Sequence, residues 1–243
     1  MSDARVRDVA QPAFRTFRDA DAMHGVLAAE IADRLAAGVS RRGVASMAVP
    51  GGTTPGPLYD VLSRQSAPWK NVAITLTDER WTDPTSGKSN EWLTRSRLMQ
   101  SEAADVRLVP LKTRHATAKD AQGEVEAALC TITRPFDVVL LGMGTDGHIA
   151  SLIPGAKGIE QAMQSADPAL VRAITPADTF RLGERMTLTL RAILDARWIA
   201  ILIRGEAKRD GYEIALAGDD ALAMPVRAVL HQAFVPVSLF WAP

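Results

Sequence analysis

A chain of 243 residues, 47% apolar and 23% charged, is long enough for one large α/β domain with a sizeable core. Its 28 basic and 28 acidic side chains cancel, so no overall field draws it to nucleic acid or an anionic membrane, and any anion needs a local site. A single cysteine, Cys130, excludes an internal disulfide and a cysteine-rich zinc site, and four scattered histidines (24, 115, 148 and 231) predict no metal.

Residues 1–12 read as a loose tail without the apolar run of a secretory signal, and no apolar segment is long enough to span a bilayer, so a cytoplasmic protein is expected. A short strand is expected over 14–17. From Asp19 a helix follows, with Met23, Val26, Leu27, Ile31 and Leu35 at three- and four-residue spacing and Gly38 as its stop. A strand over 44–49 runs into Pro50-Gly51-Gly52-Thr53-Thr54-Pro55-Gly56, and a helix covers 58–62. The strand 72–77 ends in Asp78-Glu79-Arg80; after a polar loop, Ser89 caps a helix reaching about Met99. A weaker strand, 106–111, and a helix, 119–130, lead to the apolar strand 136–141. Residues 156–185 show little pattern beyond a strand over 171–175. Then come an alternating stretch over 186–190, a short helix over 191–195, a strand over 198–203, a helix from Gly205 to about Leu216 and a last strand over 235–241. Strand and helix patterns alternate throughout, which predicts one domain built on a mainly parallel, doubly wound sheet.

Strand 136–141 opens the most informative stretch, FDVVLLGMGTDGHIASLIPG. Gly142, Gly144 and Gly147 break it, leaving Asp146 and His148 as the ionisable groups of a turn; 149–153 reads as a short helical turn stopped by Pro154-Gly155. A strand end, a glycine-rich turn and a helix start form the arrangement at which open α/β sheets bind ligands. Such turns also carry Gly and Asp for geometry alone, and a lone His is often structural. Turns after Val49, Thr77, Leu141 and Ile203 lie along one edge of a parallel sheet, so they can line one crevice. Gly51, Gly52, Thr53 and Thr54 suit a phosphate, with a tight turn before a helix as the purely structural alternative; the segment is neither a P-loop nor GxGxxG. Asp78, Glu79 and Arg80 form a structural ion-pair set or hold a polar substrate. Lys208 opposes its helix dipole, which fits a shared anion or plain solvation.

The segments PGGTTPGPLYDVL, TDERWTDPTSGKSNEWL, FDVVLLGMGTDGHIASLIPG, ERMTLTLRAIL and RGEAK resemble, in order and spacing, those of 6-phosphogluconolactonases, from about residue 49 to 210. The resemblance implies membership of the glucosamine-6-phosphate isomerase/6-phosphogluconolactonase family, with its Rossmann-like fold, helices on both sheet faces and no essential cofactor. It also implies hydrolysis of 6-phospho-D-glucono-1,5-lactone in the oxidative pentose phosphate pathway. By position, His148 matches the family's general base and Asp146 its neighbour in DGH. Arg80 matches the arginine of DER, with Asp78 beside it; Gly51 to Thr54 match the phosphate loop, and Arg185 and Lys208 downstream basic positions near the substrate. Two positions depart: Pro50 stands where the loop commonly begins with Ser, and Ile153 where lactonases commonly carry Phe. The related deaminases carry Glu at that second position, five residues after the histidine. They must shuttle a proton between carbons and expel ammonia; Ile153 cannot move a proton, which favours the lactonase. A non-catalytic sugar-phosphate-binding domain is a further alternative, though the chain has no spare basic segment for a DNA-binding module. The expected partner is the small-molecule lactone, not nucleic acid or membrane.

Overall fold

The computed structural model describes residues 12–178 and 183–243, so the tail expected over 1–12 falls almost wholly outside the described residues. Seven parallel strands form the main sheet in the order β1-β10-β9-β6-β2-β3-β5: β1 Ala13–Thr16, β2 Ala45–Val49, β3 Val72–Leu76, β5 Arg107–Val109, β6 Val138–Gly142, β9 Ile199–Arg204 and β10 Val237–Ala242. β2 is buried at all five positions and β6 at its first four, as continuous apolar runs predict for strands covered on both faces. From β2 the chain moves one way through β3 to β5, and later the other way through β6, β9 and β10. The order therefore reverses between β2 and β6, where such sheets open a crevice at their carboxyl ends.

Beside this sheet, β4 Asp78–Arg80, β7 Val171–Ile174 and β8 Arg185–Leu188 form an antiparallel sheet in the order β4-β8-β7. The sequence reading had Asp78 to Arg80 as a turn. Its three charged residues carry no strand pattern, and pairing with β8 makes them one.

Helix α1 spans Ala20–Arg42, capped by Asp19 as expected, and packs on β2, β6 and β10. It does not stop at Gly38; Gly43, at φ 78°, ends it. Gly38 lies inside because a Cβ there would come within 2.8 Å of the Asp137 carboxylate. That buried carboxylate accepts from Ser46 N at 3.0 Å and pairs with Arg42 and Arg197. Helix α2 is Pro55–Leu62. α3 Asn90–Leu93 widens into a π-turn over Thr94–Leu98, closed by Met99 N on Thr94 O at 3.0 Å. α4 Ala118–Leu129 covers β7 and β8, followed by α5 Ile159–Met163, α6 Leu190–Leu194, α7 Glu206–Ala217 and α8 Val226–Leu230. α5 and α8, five residues each, had no separate signal. The helical turn expected over 149–153 is not formed: Ala150 takes φ 49°, and Ile149 and Leu152 pair in a bridge. The turn that carries His148 therefore leads into no helix start. Among the described residues no helix is long and apolar enough to cross a membrane.

Candidate active site

The carboxyl ends of β2, β6 and β9, with β4 and β8 beside them, enclose a cavity of about 220 Å³ at the strand-order reversal. Its walls include Gly51, Gly52, Thr53, Thr54, Asp78, Arg80, His148, Arg185 and Lys208; of the candidate residues read from sequence, Asp146 and Glu79 do not line it. Asp146 lies one layer behind: its Oδ1 is 2.6 Å from His148 Nδ1 and also accepts the His148 backbone N–H at 3.2 Å. A carboxylate against Nδ1 makes that nitrogen the protonated one and leaves Nε2 as the basic nitrogen.

The turn explains why this pair can form. Gly147 N donates to Gly144 O at 3.0 Å and Gly144 N to His148 O at 2.9 Å, closing the backbone on itself. A Cβ on Gly144 would come within 2.3 Å of His148 Nδ1 and 2.4 Å of Asp146 Oδ1, so only glycine lets the pair lie across it. From outside, α8 braces the turn through Val226 N on Gly147 O at 2.9 Å.

Opposite lies a buried polar block. Asp78 is 5% exposed; its carboxylate accepts from the Ser151 hydroxyl and from Asn90 Nδ2 at 3.2 Å, and lies 3.5 Å from Arg185. Arg185 and Arg80 are register partners across β8 and β4, so two guanidinium groups share one wall. Burial lowers the pKa of Arg185, and the neighbouring Arg80 charge lowers it further against the attraction of Asp78. Glu79 turns away from the cavity. Its carboxylate accepts from Ser89 Oγ at 2.8 Å and from the N–H groups of Arg80, Asn90 and Glu91 at 2.7 to 2.8 Å. Of the three residues read together from sequence, Asp78 and Arg80 serve the cavity and Glu79 holds the start of α3.

Among the described residues none accepts a backbone N–H from 51–54, and Thr54 starts α2 without using its hydroxyl as a cap, which leaves these donors available in residues that line the cavity. Pro50 anchors the loop through its carbonyl, which accepts from the buried Tyr59 hydroxyl. Lys208, half-buried in the first turn of α7, has no hydrogen-bonded or charged partner among the described residues, and burial lowers its pKa below the ordinary lysine value. Asn90, Met143, Ala150 and Leu202 also line the cavity and were not expected to. The apolar three have no signal beyond strand ends; Asn90 resembles an ordinary residue at a helix start. Ile153 packs on the core and is not part of the lining. Among the described residues no three His, Cys, Asp or Glu side chains converge on a metal position.

Residues 18–241 match the family model described as glucosamine-6-phosphate isomerases/6-phosphogluconolactonase. The chain belongs to that family. Within it, the 6-phosphogluconolactonase of Mesorhizobium japonicum is 41% identical over 231 residues, 95% of each chain. The crystal structure of a 6-phosphogluconolactonase from Shewanella baltica superposes with a TM-score of 0.93 at 40% identity, covering 97% of this chain and 99% of that one. A monomeric glucosamine-6-phosphate deaminase shares the fold, with a TM-score of 0.78 at 18% identity over 95% of this chain and 97% of that one.

Proposed function

We propose that the protein hydrolyses 6-phospho-D-glucono-1,5-lactone to 6-phospho-D-gluconate, and that the whole chain serves as one cytoplasmic lactonase unit without a cofactor. The carrying observation is the 2.6 Å contact of His148 Nδ1 with Asp146 beside a cavity lined by two arginines and an unpaired lysine. In this reading Asp146 holds the imidazole, and Nε2 takes a proton from water as its oxygen attacks C1 of the lactone. Arg80 or nearby backbone N–H groups stabilise the resulting oxyanion. The C1–O5 bond then breaks, and the imidazolium returns its proton to O5, which leaves as the C5 hydroxyl. The phosphate binds to the free N–H groups and hydroxyls of 51–54, with Arg185 and Lys208 supplying positive charge.

Ile153 supports this reading over the deaminase: an apolar side chain packed on the core carries no proton between carbons. The alternative of a non-catalytic binding domain gives no reason for a histidine held at Nδ1 in the cavity wall. The test is hydrolysis of freshly made phosphorylated lactone, corrected for its spontaneous rate, beside ammonia release from glucosamine 6-phosphate. We expect rapid hydrolysis, a kcat/KM at least about tenfold lower for unphosphorylated gluconolactone, and no ammonia. Ammonia release at rates comparable to lactone hydrolysis contradicts the reading.

A further inference from the structure

We propose that Asn90 is a positioning residue for the phosphate loop: its amide is wedged between Asp78 and Gly51 and sets the gap between that loop and the arginine wall. The inference rests on the reading of 51–54 as the phosphate subsite.

Asn90 is 1% exposed at the start of α3, and its orientation is dictated by chemistry. Its Nδ2 donates to Asp78 O at 2.8 Å and to Asp78 Oδ1 at 3.2 Å. Two oxygen acceptors on that side require the NH₂ end of the amide there, which turns Oδ1 toward the loop. Oδ1 is buried and has no hydrogen-bond partner among the described residues. A buried carbonyl left unpaired is costly, so its placement calls for a reason beyond local geometry.

The reason lies at Gly51. A Cβ there would fall 1.7 Å from Asn90 Oδ1, 2.0 Å from Cγ and 2.5 Å from Nδ2, so the amide rests directly on the loop backbone. Gly51 is not among the residues at positive φ, so this close approach rather than backbone conformation requires glycine. The Asn90 main chain is fixed as well, since its N–H donates to buried Glu79 and its carbonyl accepts from Thr94 Oγ1 at 2.9 Å. On the far side Asp78 meets Ser151 and Arg185. A continuous line of contacts thus runs from Gly51 through Asn90 and Asp78 to Arg185. It holds the loop's free N–H groups at one fixed separation from the arginines, which a phosphorylated substrate of defined length requires.

The test uses Asn90→Ala, Gly51→Ala and the double variant. Each is measured for KM and kcat on phosphorylated and unphosphorylated lactone, and for the rise in melting temperature given by inorganic phosphate. We expect N90A to raise KM for the phosphorylated lactone roughly tenfold, as loss of one positioning contact does, with kcat within about threefold. Discrimination between the two lactones and the phosphate-induced stabilisation should fall together. G51A should do the same. The double variant should be no worse than either single one, because the three atoms nearest the new methyl all belong to the removed amide. Should N90A not fold, Asn90→Ser and G51A carry the same comparison. A folded N90A with native KM and native phosphate stabilisation overturns the proposal, as does strict additivity in the double variant. If the unmutated protein gains no stability from phosphate and does not discriminate between the lactones, the phosphate-loop reading fails and the proposal with it.

Discussion

The turn that carries His148 and the block that carries Asp78 face one cavity but differ in burial and bonding. The His148 and Asp146 side chains are 39% and 53% exposed, and a single side-chain hydrogen bond orients the ring. The Asp78 and Arg185 side chains are only 8% and 13% exposed, and with Ser151, Asn90 and Glu79 they belong to a buried network of hydrogen bonds and one ion pair. An exposed imidazole can exchange protons with water and substrate at little cost to the fold. Buried polar and charged groups are costly to strand, so changes to the arginine wall should alter stability as well as activity. Activity and stability should therefore separate on the first wall and stay joined on the second.

The largest expected effect breaks the first wall alone. His148→Asn keeps a polar side chain of similar size but no base, and should lower kcat by about 10²–10⁴, or roughly 3–5 kcal/mol of barrier. Melting temperature should stay within about 2 °C, because few contacts are lost. A folded variant retaining more than about a tenth of native kcat removes the general-base assignment.

Next in size, Glu79→Ala should break the second wall without touching the cavity. It strands four buried donors, at a cost of about 2–4 kcal/mol, or roughly 5–15 °C in melting temperature for a chain of this length. Turnover per folded molecule should fall too, since the anchor of Asn90 is lost. An unchanged melting temperature would remove Glu79 from the supporting network.

The smallest effect sharpens the comparison at Lys208, an unmatched charge within the binding side. Lys208→Met should raise KM for the phosphorylated lactone by about tenfold and leave the ligand-free protein no less stable. The sign follows from its lowered pKa. Below the folded-state value the protein carries the penalty of a half-buried charge; between that value and the ordinary lysine value the unfolded chain binds more protons, so stability rises with pH. Melting temperature against alkaline pH should show this rise in the native protein and lose it in K208M. A lower melting temperature for K208M at neutral pH would mean that Lys208 has a structural partner.

Legibility followed how local each signal was. Continuous apolar runs such as Val138 to Leu141 announced the buried strands, and Asp19 and Ser89 announced the helix starts they cap. Asp78 to Arg80 did not read as a strand, because their hydrogen-bond and strand partners, Ser151, Ser89 and β8, lie outside the local sequence window. Ile149, Leu152 and Ile153 have helical spacing, yet Ala150 at φ 49° turns the chain back instead. Gly38 looked like a helix stop and proved to be clearance for Asp137, another distant contact. The cavity-lining residues from Gly51 to Thr54, with Asp78, Arg80, His148, Arg185 and Lys208, were legible through motif resemblance. Asn90 was not: its significance lies in touching Gly51, which neither residue's own neighbourhood reveals.

The central claim is that His148 presents a basic Nε2 because Asp146 holds the proton on Nδ1. Nitrogen NMR of protein labelled at histidine tests this directly, with four histidines to resolve and H148N to assign the signal. For the neutral ring of His148, the account predicts a proton on Nδ1, and Asp146→Ala should shift the balance toward Nε2. A ring protonated mainly on Nε2 in the native protein would contradict it.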